Sequence, residues 1–504
     1  MKLLDLPPEI LDLIIDRTPP DGIEGFALSC KTVYGRAAFQ IQHHNHLKRT
    51  WTHTTNASPS RRGDTLAILY HISRDPIIAE YIESLYLWDR RAEDEVGDDP
   101  NAYNFRDDET AMENIKGLLC FAEHFANADN DDWWRQILEE DKAGDQSDMD
   151  KLHATVALLS LLPNLKKLQL PDRWHEVRHN EGAEELVPHV QALVSMSNTA
   201  GNRRKPLAKL ETILPFVEEG YDVRVGLQCL EPFIVLKNLR SLYAVSCVAV
   251  EEDWGGIPFH WSNPTVSSWL TRVEFACCCM DASGLSALLA HTPALTVFKY
   301  SHQTKWDGLE FDWNAGEILE ALANYCSESL VDIAITIDQL HGEVVNGLSS
   351  FLRFRNLEQL EVDVECFCGP PLESGQRQGR EALVPIGAEK WRHMDIPCVG
   401  DMLPPSMREL QVNTSFPEPS EDALEALFKN IVDRRRENLR LLKTAIIRQY
   451  RSSLAWDIAR KHGVILEIFD GDTENPRPRS MMPRWKREFD SLVGGIVFAD
   501  GGGR

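Results

Sequence analysis

The chain has 504 residues, of which 43% are apolar and 13 are tryptophan, which is enough for a large core and excludes a disordered polymer. A net charge of −25 argues against a nucleic-acid footprint, which would need a basic stripe. The length allows two to four domains, or a repeat array behind a small module.

Asp5, Glu9 and Asp12 interrupt any signal-peptide core, and the longest apolar run, Val156 to Leu162, is far short of the ~20 residues that cross a bilayer. Eleven cysteines without regular paired spacing point to a reducing compartment, so a cytoplasmic or nuclear setting is expected, with no membrane and no nucleic acid as partner.

The first predicted elements are two short helices between Leu3 and Tyr34. Pro7 and Pro8 suit a first helical turn, and Leu11 adds to Ile10 and Ile14 in an apolar stripe. Pro19 and Pro20 stop that helix, and Asp21 with Glu24 has capping-box spacing ahead of Phe26 and Leu28. Roughly 45 residues cannot bury a self-sufficient core, so the stripe asks for a partner. Taken alone, this is also the pattern of an ordinary helical hairpin packed on the rest of the chain.

Next come His43, His44 and His46, which point in different directions from one helix and have no further ligand at metal spacing. A helix over 64–82 leads into a half-buried strand at Ile82 to Leu87. Residues 89–109 carry nine acids against three arginines, and residues 129–150 carry nine against Arg135 and Lys142. Both read as solvated loops, although the adjacent Trp133 and Trp134 are seldom both left in water.

One phrase then recurs: apolar, two variable, apolar, one variable, apolar. It stands at Leu165/Leu168/Leu170, Leu207/Leu210/Thr212, Leu239/Leu242/Ala244 and Leu270/Val273/Phe275. It continues at Leu295/Phe298/Tyr300, Leu330/Ile333/Ile335, Leu357/Leu360/Val362 and Met407/Leu410/Val412. Helices are expected between the strands, one carrying Ile318, Leu319, Leu322, Ala323 and Cys326, another Val344, Val345, Leu348, Phe351 and Leu352. In each phrase the third and fifth residues must point away from the core. Those rows include Lys167, Lys209, Tyr243, Arg272, Lys299, Glu361 and Glu409. Bases gather early in the rows, and from Asp332 onward only acids remain.

Past residue 370 the register loosens. A helix is expected from Ser420 to Val432, a strand near Leu441 to Ile447, a helix ending at His462-Gly463 and a last strand at Val464 to Ile468. Residues 471–504 read as a mobile tail. No nucleotide, hydrolase or zinc-protease motif is present, and Cys277-Cys278-Cys279 cannot converge on one metal without a sharp bend, so no catalytic residue, metal or cofactor is expected.

The first helices resemble the F-box motif: its L-P-x-E-I start stands as Leu6-Pro7-Pro8-Glu9-Ile10, and its end as Leu28-Ser29-Cys30-Lys31 with Tyr34. The recurring phrase resembles the leucine-rich repeat, with Cys247 and Cys278 at the ninth position of two repeats. A doubly wound α/β domain is the rival, disfavoured because its strands would be more continuously apolar.

The expected fold class is therefore α/β: an all-α F-box hairpin over residues 1–50, then an irregular repeat solenoid with parallel strands inside and helices outside. Residues 51–150 would hold linker helices, a first strand and acidic loops, 151–415 the solenoid, and 416–470 its C-terminal cap.

What the resemblance implies is a non-catalytic substrate receptor of a Skp–cullin–F-box ubiquitin ligase. Leu6, Pro7, Ile10, Ile14, Leu28, Cys30, Lys31 and Tyr34 would dock a Skp-type adaptor linked to a cullin. The outward rows would hold an unknown protein target, with acidic or phosphorylated groups near Arg272 and Lys299 and basic groups near Glu361 and Glu409. A non-degradative scaffold carrying an F-box, or an enzyme cryptic in the strand–helix array, are the other readings.

Overall fold

The computed structural model describes residues 3–55, 65–87, 105–121, 130–143, 152–178, 186–199, 205–251, 255–310, 312–342, 344–348, 350–363, 366, 398–413, 425, 427–449, 455–468 and 482–493. The chain divides into two compact units, Met1–Glu211 and Thr212–Arg504. It is an α/β protein whose named strands pair in parallel throughout the described residues. No described helix is long and apolar enough to cross a membrane.

The first unit opens with four helices, α1 (Pro8–Asp16), α2 (Pro20–Ala27), α3 (Lys31–Arg36) and α4 (Ala38–Trp51). Prolines at the starts of α1 and α2 cost nothing, because a first-turn amide has no helical partner anyway. The start of α2 lies one residue before the expected Asp21 cap, with Pro19 as N-cap and no side chain capping it. Leu11, Ile15, Ile23, Ala27, Val33 and Ala37 form a core of their own.

Short strands follow: β1 (His53–Thr55), β2 (Ser84–Tyr86) and β3 (Lys167–Gln169) pair in that order. The expected helix over 64–82 is shorter, Thr65–Arg74, and a 3-10 turn then runs from Pro76. The acidic run 129–150 is not simply a solvated loop. Asn130–Ala143 is a helix that buries Trp133, Trp134 and Ile137, and Asp141 pairs with Arg106 at 2.9 Å. Two indoles and an isoleucine go to the core, Asp131 and Glu139 stay in water, and the two inward acids, Glu140 and Asp141, are paired with His153 and Arg106.

In the second unit the strands are β4 (Thr212–Leu214), β5 (Val225–Gly226), β6 (Ser241–Val245), β7 (Cys247–Ala249), β8 (Arg272–Met280) and β9 (Val297–Gln303). They continue as β10 (Trp313–Asn314), β11 (Asp332–Gln339), β12 (Val344–Val345), β13 (Gln359–Asp363), β14 (Glu409–Asn413), β15 (Thr444–Gln449) and β16 (Ile465–Ile468). The main sheet runs β4-β6-β8-β9-β11-β13-β14-β15-β16, with β5-β7 branching from the C-terminal part of β8 and β10-β12 a separate pair.

The register puts equivalent phrase positions side by side. Leu242, Val273, Phe298, Ile333, Leu360, Leu410 and Ala445 make one buried row across the sheet. Each sits next to the same position of its neighbour, so every strand buries its apolar row against the same core.

Two expected elements differ. The pairing of Thr212 with Ser241 and Ile213 with Leu242 aligns Leu210/Ile213 with the other phrases, so the Leu207/Leu210 match is displaced by three residues and Lys209 precedes the strand. Both frames fit two apolar residues three apart, and only pairing chooses between them. Val344-Val345 is a strand beside Trp313-Asn314 and not part of a helix, which suits two β-branched residues ahead of an Asn346-Gly347 turn. The helix Ala315–Cys326 forms as expected, capped by Asn314, whose side chain accepts from the Glu317 amide at 3.1 Å. Residues 420–424 of the expected 420–432 helix lie outside the described residues, whereas Ile431–Glu437 is helical.

Candidate functional site

Two surfaces stand out, one in each unit. In the first, α1 is apolar on two sides. Leu11 and Ile15 face the small core, while Ile10, Leu13 and Ile14 are 43%, 46% and 36% exposed. Their i, i+3, i+4 spacing makes a continuous outward stripe. Leu28 at the end of α2 is 76% exposed, and Tyr34 and Phe39 also point outward.

Of the expected adaptor residues, Pro7, Ile10, Ile14, Leu28, Lys31 and Tyr34 are exposed, and Leu6 and Cys30 are half-buried. Cys30 packs against the core cluster. Leu13 belongs to the same stripe and was detectable in the sequence as Ile10+3, and Phe39 is a further exposed apolar residue. The scaffold is held by Arg36, which donates to Asp12 at 2.7 Å and to the Pro8 carbonyl at 3.3 Å, and by Lys48 on Glu24 at 2.6 Å. The Arg36 guanidinium holds the Asp12 carboxyl below its ordinary range. The histidines of α4 are accounted for in part: His44 is buried, with Nδ1 2.8 Å from the Tyr81 hydroxyl.

The second surface is the outward face of the main sheet in the second unit. Ser241, Arg272, Val297, Asp332, Gln359 and Glu409 align as one row, and Tyr243, Glu274, Lys299, Ala334, Glu361 and Gln411 as the next. The second of these rows is buried, which the sequence reading did not anticipate. What buries it is a helix, Arg484–Leu492, placed where a mobile tail was expected. Trp485, Lys486, Phe489 and Asp490 of this tail helix are all buried.

Its seat is specific. The Glu361 carboxylate accepts the first two amides of the helix, from Arg484 at 2.7 Å and Trp485 at 3.1 Å. Those are amides that no helical carbonyl can reach, and a carboxylate there also meets the positive end of the helix dipole. Gln411 and Asn413 donate to the same carboxylate, at 2.9 and 3.2 Å. Burial pushes the Glu361 carboxyl above its ordinary range, against the pull of Asn413, Arg448 and the two amides.

The Trp485 indole donates to Thr336 Oγ1 at 3.2 Å, and Lys486 Nζ lies 2.6 Å from Asp338 Oδ1 and 3.3 Å from Cys277 Sγ. Burial opposes the Lys486 charge, but Asp338, Cys277 and Glu219 outweigh it and hold the ammonium above its ordinary range. Phe489 meets Tyr243 edge-on at 5.7 Å. Outside, Arg484 pairs with Glu409 at 2.6 Å, and Lys299 pairs with Asp332 at 3.1 Å and lies 3.9 Å from Glu488.

Of the expected target-binding residues, Tyr243, Arg272, Lys299, Glu361 and Glu409 therefore share one face, already engaged by the tail helix or by neighbours; Arg272 is paired with Glu274. The other two, Lys167 and Lys209, belong to the first unit. Lys167 is exposed, and Lys209 donates to Asn164 at 2.7 Å and lies 3.4 Å from Asp21. Sequence reasoning missed Thr336, Asp338 and the whole tail helix. The signal was present as Trp485, Phe489 and Val493, spaced i, i+4, i+8.

The three cysteines do not converge. Cys277 has φ +54°, a bend shared by Ser246 at the same phrase position. Its thiol points to Glu219 and Lys486, that of Cys278 toward the Ala276 carbonyl and the Cys247 amide, and that of Cys279 toward the Leu309 carbonyl. Burial pushes all three thiols well up. Among the described residues no group of three or more His, Cys, Asp or Glu side chains is placed to hold a metal. No family model matches the chain, and no curated protein sequence matches it.

Proposed function

We propose that this chain is the substrate-recognition subunit of a Skp–cullin–F-box ubiquitin ligase. Its first helices dock a Skp-type adaptor as an F-box, and its strand–helix array serves as a leucine-rich-repeat solenoid that holds a protein target. The observation that carries the reading is the outward stripe Ile10, Leu13 and Ile14 with Leu28 and Tyr34, on residues that also match the L-P-x-E-I start and Cys-Lys end of that motif. A stripe of this kind on a helix that already has its own core is support for a partner. The chain itself supplies no chemistry in this reading. It raises the local concentration of target lysines near a charged conjugating enzyme. The free thiols of the described cysteines support a cytoplasmic or nuclear setting.

The test is co-purification. Pro7→Ala with Ile10→Ala should abolish capture of the adaptor and cullin while the chain's thermal unfolding stays unchanged, because both side chains are exposed. Undiminished adaptor capture by the double variant overturns the assignment. The non-degradative scaffold is the second reading, favoured by the cover over the sheet face. Reconstituted ubiquitination of captured proteins separates the two.

A further inference from the structure

The acids of the sheet face are satisfied from within the chain. The sequence of the outward rows asks for a basic partner near Glu361 and Glu409. The tail helix supplies it, with Arg484 on Glu409, Lys486 on Asp338 and two free amides on Glu361. Apolar groups fill the gaps between these charges, Trp485 against Thr336 and Phe489 against Tyr243. Every feature by which a groove recognises a foreign helix is here: an anchored N-terminus, aromatic anchors four residues apart, and one buried ion pair that sets the register.

The cover is partial. A cleft of about 700 Å³ lies along one flank of the helix, between Tyr243, Arg272, Arg487 and Ser491. A polar cavity of about 50 Å³ lies along the other, lined by Lys299, Asp332, Glu409 and Glu488. The tail helix is thus a narrow rib on a broad face. It spans only nine residues, and its exposed side carries Arg484, Glu488, Ser491 and Leu492.

We propose that this face is a helix-binding groove which the tail helix occupies as a pseudo-ligand, and that the target enters as an amphipathic helix of the same chemistry. That helix has basic side chains at its first and third positions, aromatic side chains at its second and sixth, and a free first turn for Glu361. The proposal rests on the reading of the sheet face as the target site; it does not depend on the adaptor. A tethered copy acts at an effective concentration of order millimolar. A free peptide that binds the open groove at about 10 µM would therefore bind the closed chain about a hundredfold more weakly. A target must outcompete the tail, or arrive when the tail is held elsewhere.

The experiment uses the full chain and a fluorescein-labelled synthetic peptide of residues 482–493. Fluorescence anisotropy measures its binding to the wild-type chain and to the Trp485→Ala/Phe489→Ala variant, whose own tail is weakened. The variant should bind the peptide at least tenfold more tightly than wild type. Adding Asp338→Ala to the variant should remove that binding, and a peptide lacking both aromatics should bind neither chain. Equal binding to the two chains, or no binding to a cooperatively folded variant, overturns the proposal.

If the variant does not fold, a protease site placed within 469–481 of the full chain gives the same answer. After cleavage the labelled peptide should replace the native fragment during gel filtration. A fragment that stays bound and excludes the label marks the helix as a fixed part of the fold and overturns the proposal. Adaptor capture is measured on the same proteins. Its loss would count against the ligase reading and leave the groove untouched, whereas failed exchange with retained adaptor would do the reverse.

Discussion

Asp338→Ala tests how the tail helix is held. Asp338 Oδ1 lies 2.6 Å from Lys486 Nζ, and both side chains are nearly sealed from water, at 11% and 3% exposed. Removing one member of such a pair typically costs about 3–5 kcal/mol, and the lower end is expected here because Glu219 still favours the Lys486 charge. The Cys277 amide, which donates to Asp338 at 3.2 Å, keeps a partner in the variant, because it also donates to Ser301 Oγ at 2.8 Å. The chain can avoid the penalty by releasing the helix. Burying Trp485 and Phe489 is worth about 1.5–3 kcal/mol each. Fixing the nine residues of the helix costs at least as much, at about 1–2 kcal/mol each, so burial of the two rings does not hold it alone and the polar seat is needed. The net docking free energy is thus smaller than the penalty, and release should win. Hydrogen–deuterium exchange over residues 482–493 is the assay. Exchange there should rise by up to about a hundredfold, the factor that a docking free energy near 3 kcal/mol sets, while the strands β6 to β14 keep their protection. Asp338→Ala with Lys486→Met should restore most of it, since an apolar replacement of both partners is often close to neutral. Unchanged exchange in the single variant, or no recovery in the double, would refute the reasoning.

Leu11→Ala should destabilise the first helices by about 2–5 kcal/mol, whereas Ile14→Ala, three residues on but outward, should stay within about 0.5 kcal/mol of wild type by thermal melting and weaken only adaptor capture. Deleting 130–143 should lower Tm sharply, because Trp133, Trp134 and Ile137 leave the core with it. Gly284→Ala should also lower Tm, since a Cβ there would stand 2.4 Å from the Ala249 carbonyl oxygen, a backbone atom that cannot swing aside. Two buried groups set opposite pH slopes. Burial pushes the Asp363 carboxyl up to about 7, so the folded state holds an extra proton between pH ~4 and 7 and stability falls as pH rises through that window. Burial pushes His302 down to about 3, so the folded state resists protonation and stability falls as pH drops below ~6.5. Over pH ~4–6.5 the two slopes oppose each other, so in melting curves Asp363→Asn should leave a stability that rises with pH across that range, and His302→Phe, which keeps the stack on Trp313, one that falls.

The period-two alternation of each phrase was enough by itself to tell inward from outward residues, because a strand turns its side chains by half a rotation at every step. That is why Tyr243, Lys299 and Glu361 fall in one row as read. Where the phrase began was less well determined: Leu207, Leu210 and Ile213 offer two frames, and only the pairing of Thr212 with Ser241 selects the second. In α1, composition named an apolar helix, but which of Ile10, Leu11, Ile14 and Ile15 face the core depends on where α2 and α3 pack, and that lies outside any local pattern. The tail is the clearest case. Read locally, Trp485-Lys486-Arg487-Glu488-Phe489 sits among glycine, proline and charge, and nothing nearby in the chain completes it. Its partners Glu361, Asp338 and Tyr243 lie more than a hundred residues upstream. The strand rows are near-neighbour geometry and can be read from spacing, whereas the helix is stable only against a surface that exists after those rows have assembled.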